Sequence, residues 1–261
     1  MKKNSVSSAF LKNIAYISML IDHFFAVVFL AYRYQLRDLG SSPETIEAAK
    51  EVYDLGRALG RPAFILFAFM AVEGFLHTRS QQKYLIRLGV FALLSEIPFD
   101  LAFHQKIFYH SAQNVYFTLF LGVFALCLIK AFQKDLFLQI TSVILCCIAA
   151  AFLKTDYMFM GVLLIVVLYV CRSSFWYRFI AGSFTIYIGI VLVYMVRHLG
   201  EGKSLTACLQ SGISELYGIL AFIPIYFYNG KKGRQLPKMC YYLFYPLHLL
   251  LLYGIKQRLF G

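Results

Sequence analysis

Long apolar runs, several near the roughly 20 residues a helix needs to cross a hydrocarbon core, recur from one end of this 261-residue chain to the other. That pattern leaves few folds open. In lipid every backbone polar group must find its partner within the protein, which limits spanning segments to helices and closed barrels, and runs of this length read as helices. A soluble domain with a very apolar core would need a polar coat. At 60% hydrophobic and 15% charged residues, against about 25% charged in soluble domains, the chain does not contain one. The expected fold is an all-α polytopic transmembrane bundle, formed as a single integral-membrane domain over residues 1–261.

About nine spans can be drawn by apolar periodicity, over 9–31, 57–77, 82–103, 114–131, 135–153, 156–171, 176–197, 211–228 and 239–259. The first begins after Met1-Lys2-Lys3, like a signal peptide. It is long enough to span, is interrupted by Asp22-His23 and lacks a small-residue cleavage site, so it reads as a retained helix. The stretch 104–113 reads as a loop. The 32–56 connection is expected to be an extracytoplasmic loop carrying a short helix, with Ser42-Pro43 as its turn signal.

The net charge of +12 would suggest nucleic acid in a soluble protein. Here the basic residues sit in short loops between apolar spans, as the positive-inside rule demands, and nucleic acid is excluded. Placing the N-terminus in the cytoplasm puts Lys2, Lys3, Arg79, Lys83, Arg87, Lys130, Lys134, Arg172, Arg178, Lys231, Lys232, Arg234 and Lys238 on that side. With the long, acidic 32–56 connection set aside, the outer side then receives Lys106, Lys154, Arg197, Lys203, Lys256 and Arg258. The expected location is a bacterial cytoplasmic membrane crossed many times, with lipid as the surrounding partner. Cys127, Cys146, Cys147, Cys171, Cys208 and Cys240 show no CxxC pair or His/Cys spacing, so neither a disulfide framework nor a metal is expected.

Against this apolar background, ionisable residues inside spans are the informative ones, because each costs at least ~2.5–3.5 kcal/mol at the bilayer centre. Lys12 and His23 lie eleven residues apart, about three helical turns, so they share a face with Tyr16 and Met19 between them. Asp22 cannot share that face and is expected to pair with another helix. In the second span, Gly60-Arg61-Pro62 opens the helix and Glu73 and His77 lie near its other end. In the third, Glu96 and Asp100 share a face at i and i+4 beside Pro98, a pocket that Arg61 could pair into. Asn114 and Thr118 at the start of the fourth, and His248 in the last, complete an expected polar centre. For each of these residues taken alone, a hydrogen bond between helices is the plainer reading.

Several motifs in order resemble the TraX family. They are Lys12-Asn13-Ile14-Ala15 leading to Met19-Leu20-Ile21-Asp22-His23, then Gly60-Arg61-Pro62-Ala63-Phe64, Phe67-Ala68-Phe69 and Glu73-Gly74-Phe75. Leu94-Ser95-Glu96-Ile97-Pro98-Phe99-Asp100, Gln113-Asn114-Val115, Phe117-Thr118 and Tyr245-Pro246-Leu247-His248 follow. The family takes its name from a conjugation protein that N-acetylates pilin in the bacterial inner membrane. The resemblance therefore implies an acetyl-CoA-dependent membrane acyltransferase, with acetyl-CoA as co-substrate and no metal. Lys12 and His23 also look like the Arg-x10-His element of wider membrane acyltransferases, with Lys in place of Arg.

On this reading His23 is the general base or the acylated nucleophile, and Asp22, Glu73 or Glu96 orients its imidazole. The phosphates of acetyl-CoA would meet Arg79, Lys83 and Arg87, joined by Lys12 or Arg172. The binding set is Lys12, Arg61, Arg79, Lys83, Arg87, Asp100, Asn114, Thr118 and His248. The acceptor, a pilin-like peptide N-terminus or a glycan, stays open. Two other classes compete: a proton-coupled transporter or channel using the same Asp, Glu and His residues, and a non-catalytic membrane scaffold.

Overall fold

A computed structural model of the protein describes residues 5–198, 206 and 215–261. Lys2, Lys3 and Lys203, which entered the orientation argument, and Cys208 lie outside the described residues. Every extended element among the described residues is helical, and only two isolated β-bridges occur, Val6 with Tyr228 and Gln113 with Thr155.

The first helix runs as α1 (Ser8–Phe24), a π-helical stretch (Phe25–Phe29) and α2 (Leu30–Asp38). After a turn come α3 (Pro43–Gly60) and α4 (Pro62–His77), then α5 (Gln81–His104), α6 (Val115–Ala131), α7 (Leu136–Phe152), α8 (Met158–Val170) and α9 (Phe175–His198). A 3-10 stretch, Leu216–Ala221, leads into the short α10 (Phe222–Tyr226), and α11 (Lys238–Phe260) closes the chain. Residues 32–56, expected as a loop with a small helix, are thus helical apart from the 39–42 turn. The reason is local: Ser42 caps α3 by accepting from the Thr45 N–H at 3.3 Å, and Pro43 fills the first turn, where a missing N–H is harmless. Ser7, Ser80, Asn114 and Asp135 cap α1, α5, α6 and α7 in the same way.

Three described helices are long and apolar enough to cross a membrane: Ser8–Asp38, Pro43–His77 and Phe175–Met195. Val115–Ala131, Leu136–Phe152, Met158–Ser173 and Leu216–Tyr226 are apolar but shorter. The outward face of α7 shows why the bundle is not a soluble one. Phe137 and Phe152 are 75% and 83% exposed, and Ile140, Ile144, Leu145 and Ile148 are exposed between them. Such a stripe suits lipid tails and no aqueous surface.

Between helices in lipid the hydrophobic effect adds little, so close packing through small residues carries more of the association. α1 lies along α3 and α4, and α11 along α5. Gly56 and Gly60, one turn apart on α3, present bare backbone to α1. A methyl group at Gly56 would strike the Phe25 ring, and one at Gly60 would strike Asp22. The chain ahead of α11 is tied to the start of α1: the Ser8 and Ala9 N–H groups, orphans of a first helical turn, donate to the Lys231 and Lys232 carbonyls at 2.9 and 3.0 Å. That tie brings the basic 231–238 segment over Lys12.

Candidate functional site

The Lys12 stripe of α1 faces the interior of the bundle, as its spacing requires. Lys12 Nζ donates to Gln235 Oε1 at 3.0 Å and lies over the Tyr241 ring, 4.4 Å from its centre. One turn deeper, Tyr16 donates to the Tyr241 carbonyl at 2.7 Å. Lys12, Tyr16 and Met19 line one side of a cavity of about 300 Å³. Lys12, Arg87, Lys232 and Lys238 gather at its mouth, and Tyr84, Tyr116, Tyr242 and Tyr245 form much of its wall. Arg79 and Lys83 are exposed and lie outside the lining, while Arg87, one helical turn beyond Lys83, faces in. Arg172 turns away, bonded to its own Tyr169 carbonyl at 3.0 Å.

Immediately past Met19 on the same stripe is His23. Its ring meets Tyr245, a residue of the cavity wall, at 5.9 Å between centres. His23 Nδ1 lies 2.7 Å from His248 Nε2, and the two rings are nearly parallel at 8°. His248 is 5% exposed, and its Nδ1 lies 2.9 Å from the Phe244 carbonyl. A carbonyl only accepts, so His248 Nδ1 carries the proton, and its neutral Nε2 is an acceptor. His23 must then donate from Nδ1. With both rings neutral, the chain of bonds leaves His23 Nε2 as the unprotonated nitrogen.

Among the described residues no carboxylate bonds to the His23 ring as expected for Asp22, Glu73 or Glu96; His248 lies against it instead. Each carboxylate has its own partner nearer to hand. Asp22 Oδ2 is 2.7 Å from Arg57 Nη1, which also donates to the Asp22 carbonyl at 3.1 Å, so Asp22 fastens α1 to α3. Glu73 lies on the first cavity between His77 and Arg178, at 3.7 and 3.8 Å. Glu96 accepts from the side chain of Asn114, whose Nδ2 also donates to the Ala92 carbonyl at 2.8 Å. Asp100 Oδ2 accepts from the Tyr109 N–H at 2.7 Å and pins the loop after α5. Thr118 bonds to Thr155 and to the Asp156 carbonyl.

Arg61 does not join the α5 carboxylates. It pairs with Glu215 at 3.0 Å, because α4 packs against the 3-10 stretch that follows Glu215. The expected single polar centre is therefore several: a histidine pair, ion pairs at Asp22, Arg61 and Glu73, and an amide clamp. Sequence reading passed over Arg57, Glu215 and the tyrosine wall. Arg57 was the first residue of the span drawn over 57–77 and was not singled out, and Lys232 and Lys238 registered only as orientation charges, although their clustering in 231–238 was a visible signal.

Fold and site together define a helical membrane protein with a basic-mouthed cavity beside a part-buried histidine pair. The chain belongs to the TraX family: the family described as TraX protein matches residues 7–256. It is also similar to the probable fimbrial assembly protein FimC, serogroup H1, of Dichelobacter nodosus. The two are 30% identical over 272 residues, covering 98% of this chain and 99% of that protein. No solved structure matches the chain.

Proposed function

We propose that this protein is a multi-pass membrane acyltransferase of the bacterial inner membrane. It moves an acetyl group from cytoplasmic acetyl-CoA to an amine or hydroxyl acceptor. The observation that carries this reading is the alignment on one face of α1 of a basic mouth, a narrow aromatic slot and a histidine whose Nε2 is unprotonated.

The slot suits the donor. Lys12, Arg87, Lys232 and Lys238 can make charge-assisted bonds to phosphate oxygens at the mouth. A cavity of about 300 Å³, at the small end of ligand pockets, takes a slender arm and leaves a nucleotide outside. The positive-inside rule puts such a mouth in the cytoplasm, with the N-terminus. His23 Nε2 removes the proton of the acceptor N–H or O–H as the new bond to the thioester carbon forms. The C–S bond then breaks, and the thiolate takes that proton back from His23. His248 fixes the tautomer and spreads the transient charge along a hydrogen bond. The fimbrial assembly relative and the TraX family support an acceptor among pilus components, with a peptide N-terminus as the simplest amine.

Binding of acetyl-CoA to purified protein, with release of free CoA on adding acceptor, tests the proposal. Wild type is expected to bind, and His23→Ala to bind while losing transfer by about 10²–10⁴-fold. Wild-type protein that does not bind acetyl-CoA would sink the reading.

A further inference from the structure

The stripe that carries Lys12, Tyr16 and Met19 does not stop at His23. One turn on, Ala26 and Val27 of the π-helical stretch, then Leu30 and Ala31 of α2, line a second cavity of about 460 Å³. Phe103, near the end of α5, forms part of its wall, and its ring meets His23 edge-on at 5.4 Å between centres. His23 itself lines neither cavity, but its ring touches Tyr245, a wall residue of the first, and Phe103, a wall residue of the second. Met19, one turn before it, belongs to the first cavity, and Ala26, one turn after it, to the second. The rim of the second cavity carries Asp38 and Lys256, at the opposite end of the long helix from Lys12. By helical rise that rim is roughly 22 Å beyond His23, and the Lys12 mouth about 16 Å before it. The π-helical turn sits on the second cavity directly after His23, as such turns often do at functional sites.

Resting on the transfer reading, we infer that the second cavity admits the acceptor from the membrane face opposite the acetyl-CoA mouth. Its occupant is a primary amine or alcohol on an apolar carrier. The lining is polar at Tyr34, Gln35, Asp38, Gln105 and Lys256. The turns next to His23 instead supply Ala26, Val27 and Leu30, with Ala102 and Phe103 of α5, so a charged reacting end would lack a partner over that stretch. The acceptor reaches His23 neutral, and the small Ala26, Ala31 and Ala102 side chains leave room for its carrier. Its nitrogen or oxygen bonds to the thioester carbon, the C–S bond breaks, and CoA leaves by the way it came. The acceptor proton passes through His23 Nε2 to the departing thiolate.

Two measurements test the assignment. In sealed right-side-out and inside-out vesicles, a membrane-impermeant maleimide is applied to Ala31→Cys and to Lys238→Cys, each above the wild-type background. The two variants are expected to be labelled from opposite faces. Labelling from the same face, or no labelling of Ala31→Cys from either, overturns the inference.

In the second measurement n-octylamine and n-octanol serve as acceptors. Ala31→Trp, which fills the cavity, is expected to lower kcat/KM for them at least tenfold while acetyl-CoA affinity stays within twofold. Unchanged transfer with the cavity filled would leave that space to a lipid chain. Wild type that binds acetyl-CoA yet acetylates neither probe overturns the apolar-carrier assignment. Wild type that fails to bind acetyl-CoA is a failure of the transfer reading, and the labelling result is read without it.

Discussion

At the scale of single residues, the histidine pair and the Asp22 clamp divide the work that adjacent positions might suggest they share. On the proposed transfer reading, His248 acts on His23 through one hydrogen bond, so its loss removes orientation and not the base itself. His248→Ala is expected to keep acetyl-CoA affinity and lose about 10–10²-fold in transfer rate, less than the general-base loss expected for His23→Ala. His248→Gln, which can still accept from His23 Nδ1, should recover part of the difference. Equal rates for His248→Ala and wild type would argue that the pair only packs helices. Asp22→Asn has a different signature. It leaves Arg57 without its carboxylate in a site where both side chains are mostly covered, at 22% and 15% exposure. The expected cost is on the order of 2–4 kcal/mol, near the lower end for breaking a buried pair because some solvent screening remains. Thermal unfolding in detergent measures it, and adding Arg57→Met should restore part of the loss.

At the scale of elements, the close approach of α3 to α1 depends on Gly56 and Gly60. An added methyl at Gly60 meets the Asp22 side chain and lies 2.7 Å from the Asp22 Cα, so backbone must move. Gly60→Ala should therefore lower the unfolding midpoint and disturb the Asp22–Arg57 pair together. Gly254 in α11 is the control. Nothing lies within 4 Å of a methyl placed there, so Gly254→Ala should stabilise by about 0.5–1 kcal/mol through helix propensity alone. If the two substitutions shift the midpoint alike, the packing account of the α1–α3 contact fails. The helices themselves were legible as periodic apolar runs. A short helix was legible within 32–56, but its full extent was obscured because the polar composition matches a surface loop. Its covering of the α1 face around Asp22 and Phe25 appears only once α3 is folded back.

At the scale of the whole molecule, charge is gathered at the cavity mouth from three distant parts of the chain: Lys12 on α1, Arg87 on α5, and Lys232 and Lys238 at the approach to α11. Lys232→Glu and Lys238→Glu are each expected to weaken acetyl-CoA binding by roughly tenfold, about 1.4 kcal/mol, with the effect shrinking as salt rises. Arg79→Glu and Lys83→Glu, outside the lining, should change it much less. A binding titration at two ionic strengths separates the sets, and equal effects would remove the mouth as a phosphate site.

The sequence by itself determined the solvent this protein lives in and the first half of its site. Lipid admits only self-satisfied helices, and a 3.6-residue period forces Lys12, Tyr16, Met19 and His23 onto one face while turning Asp22 to another. It could not determine which ionisable groups meet. A buried charge takes the nearest partner the packing supplies, and for Asp22, Arg61 and His23 those partners lie 35, 154 and 225 residues away. Only the tertiary structure decided that His23 rests on His248, that Glu73 and Glu96 are bound elsewhere, and that the α1 stripe runs on past His23 into a second cavity.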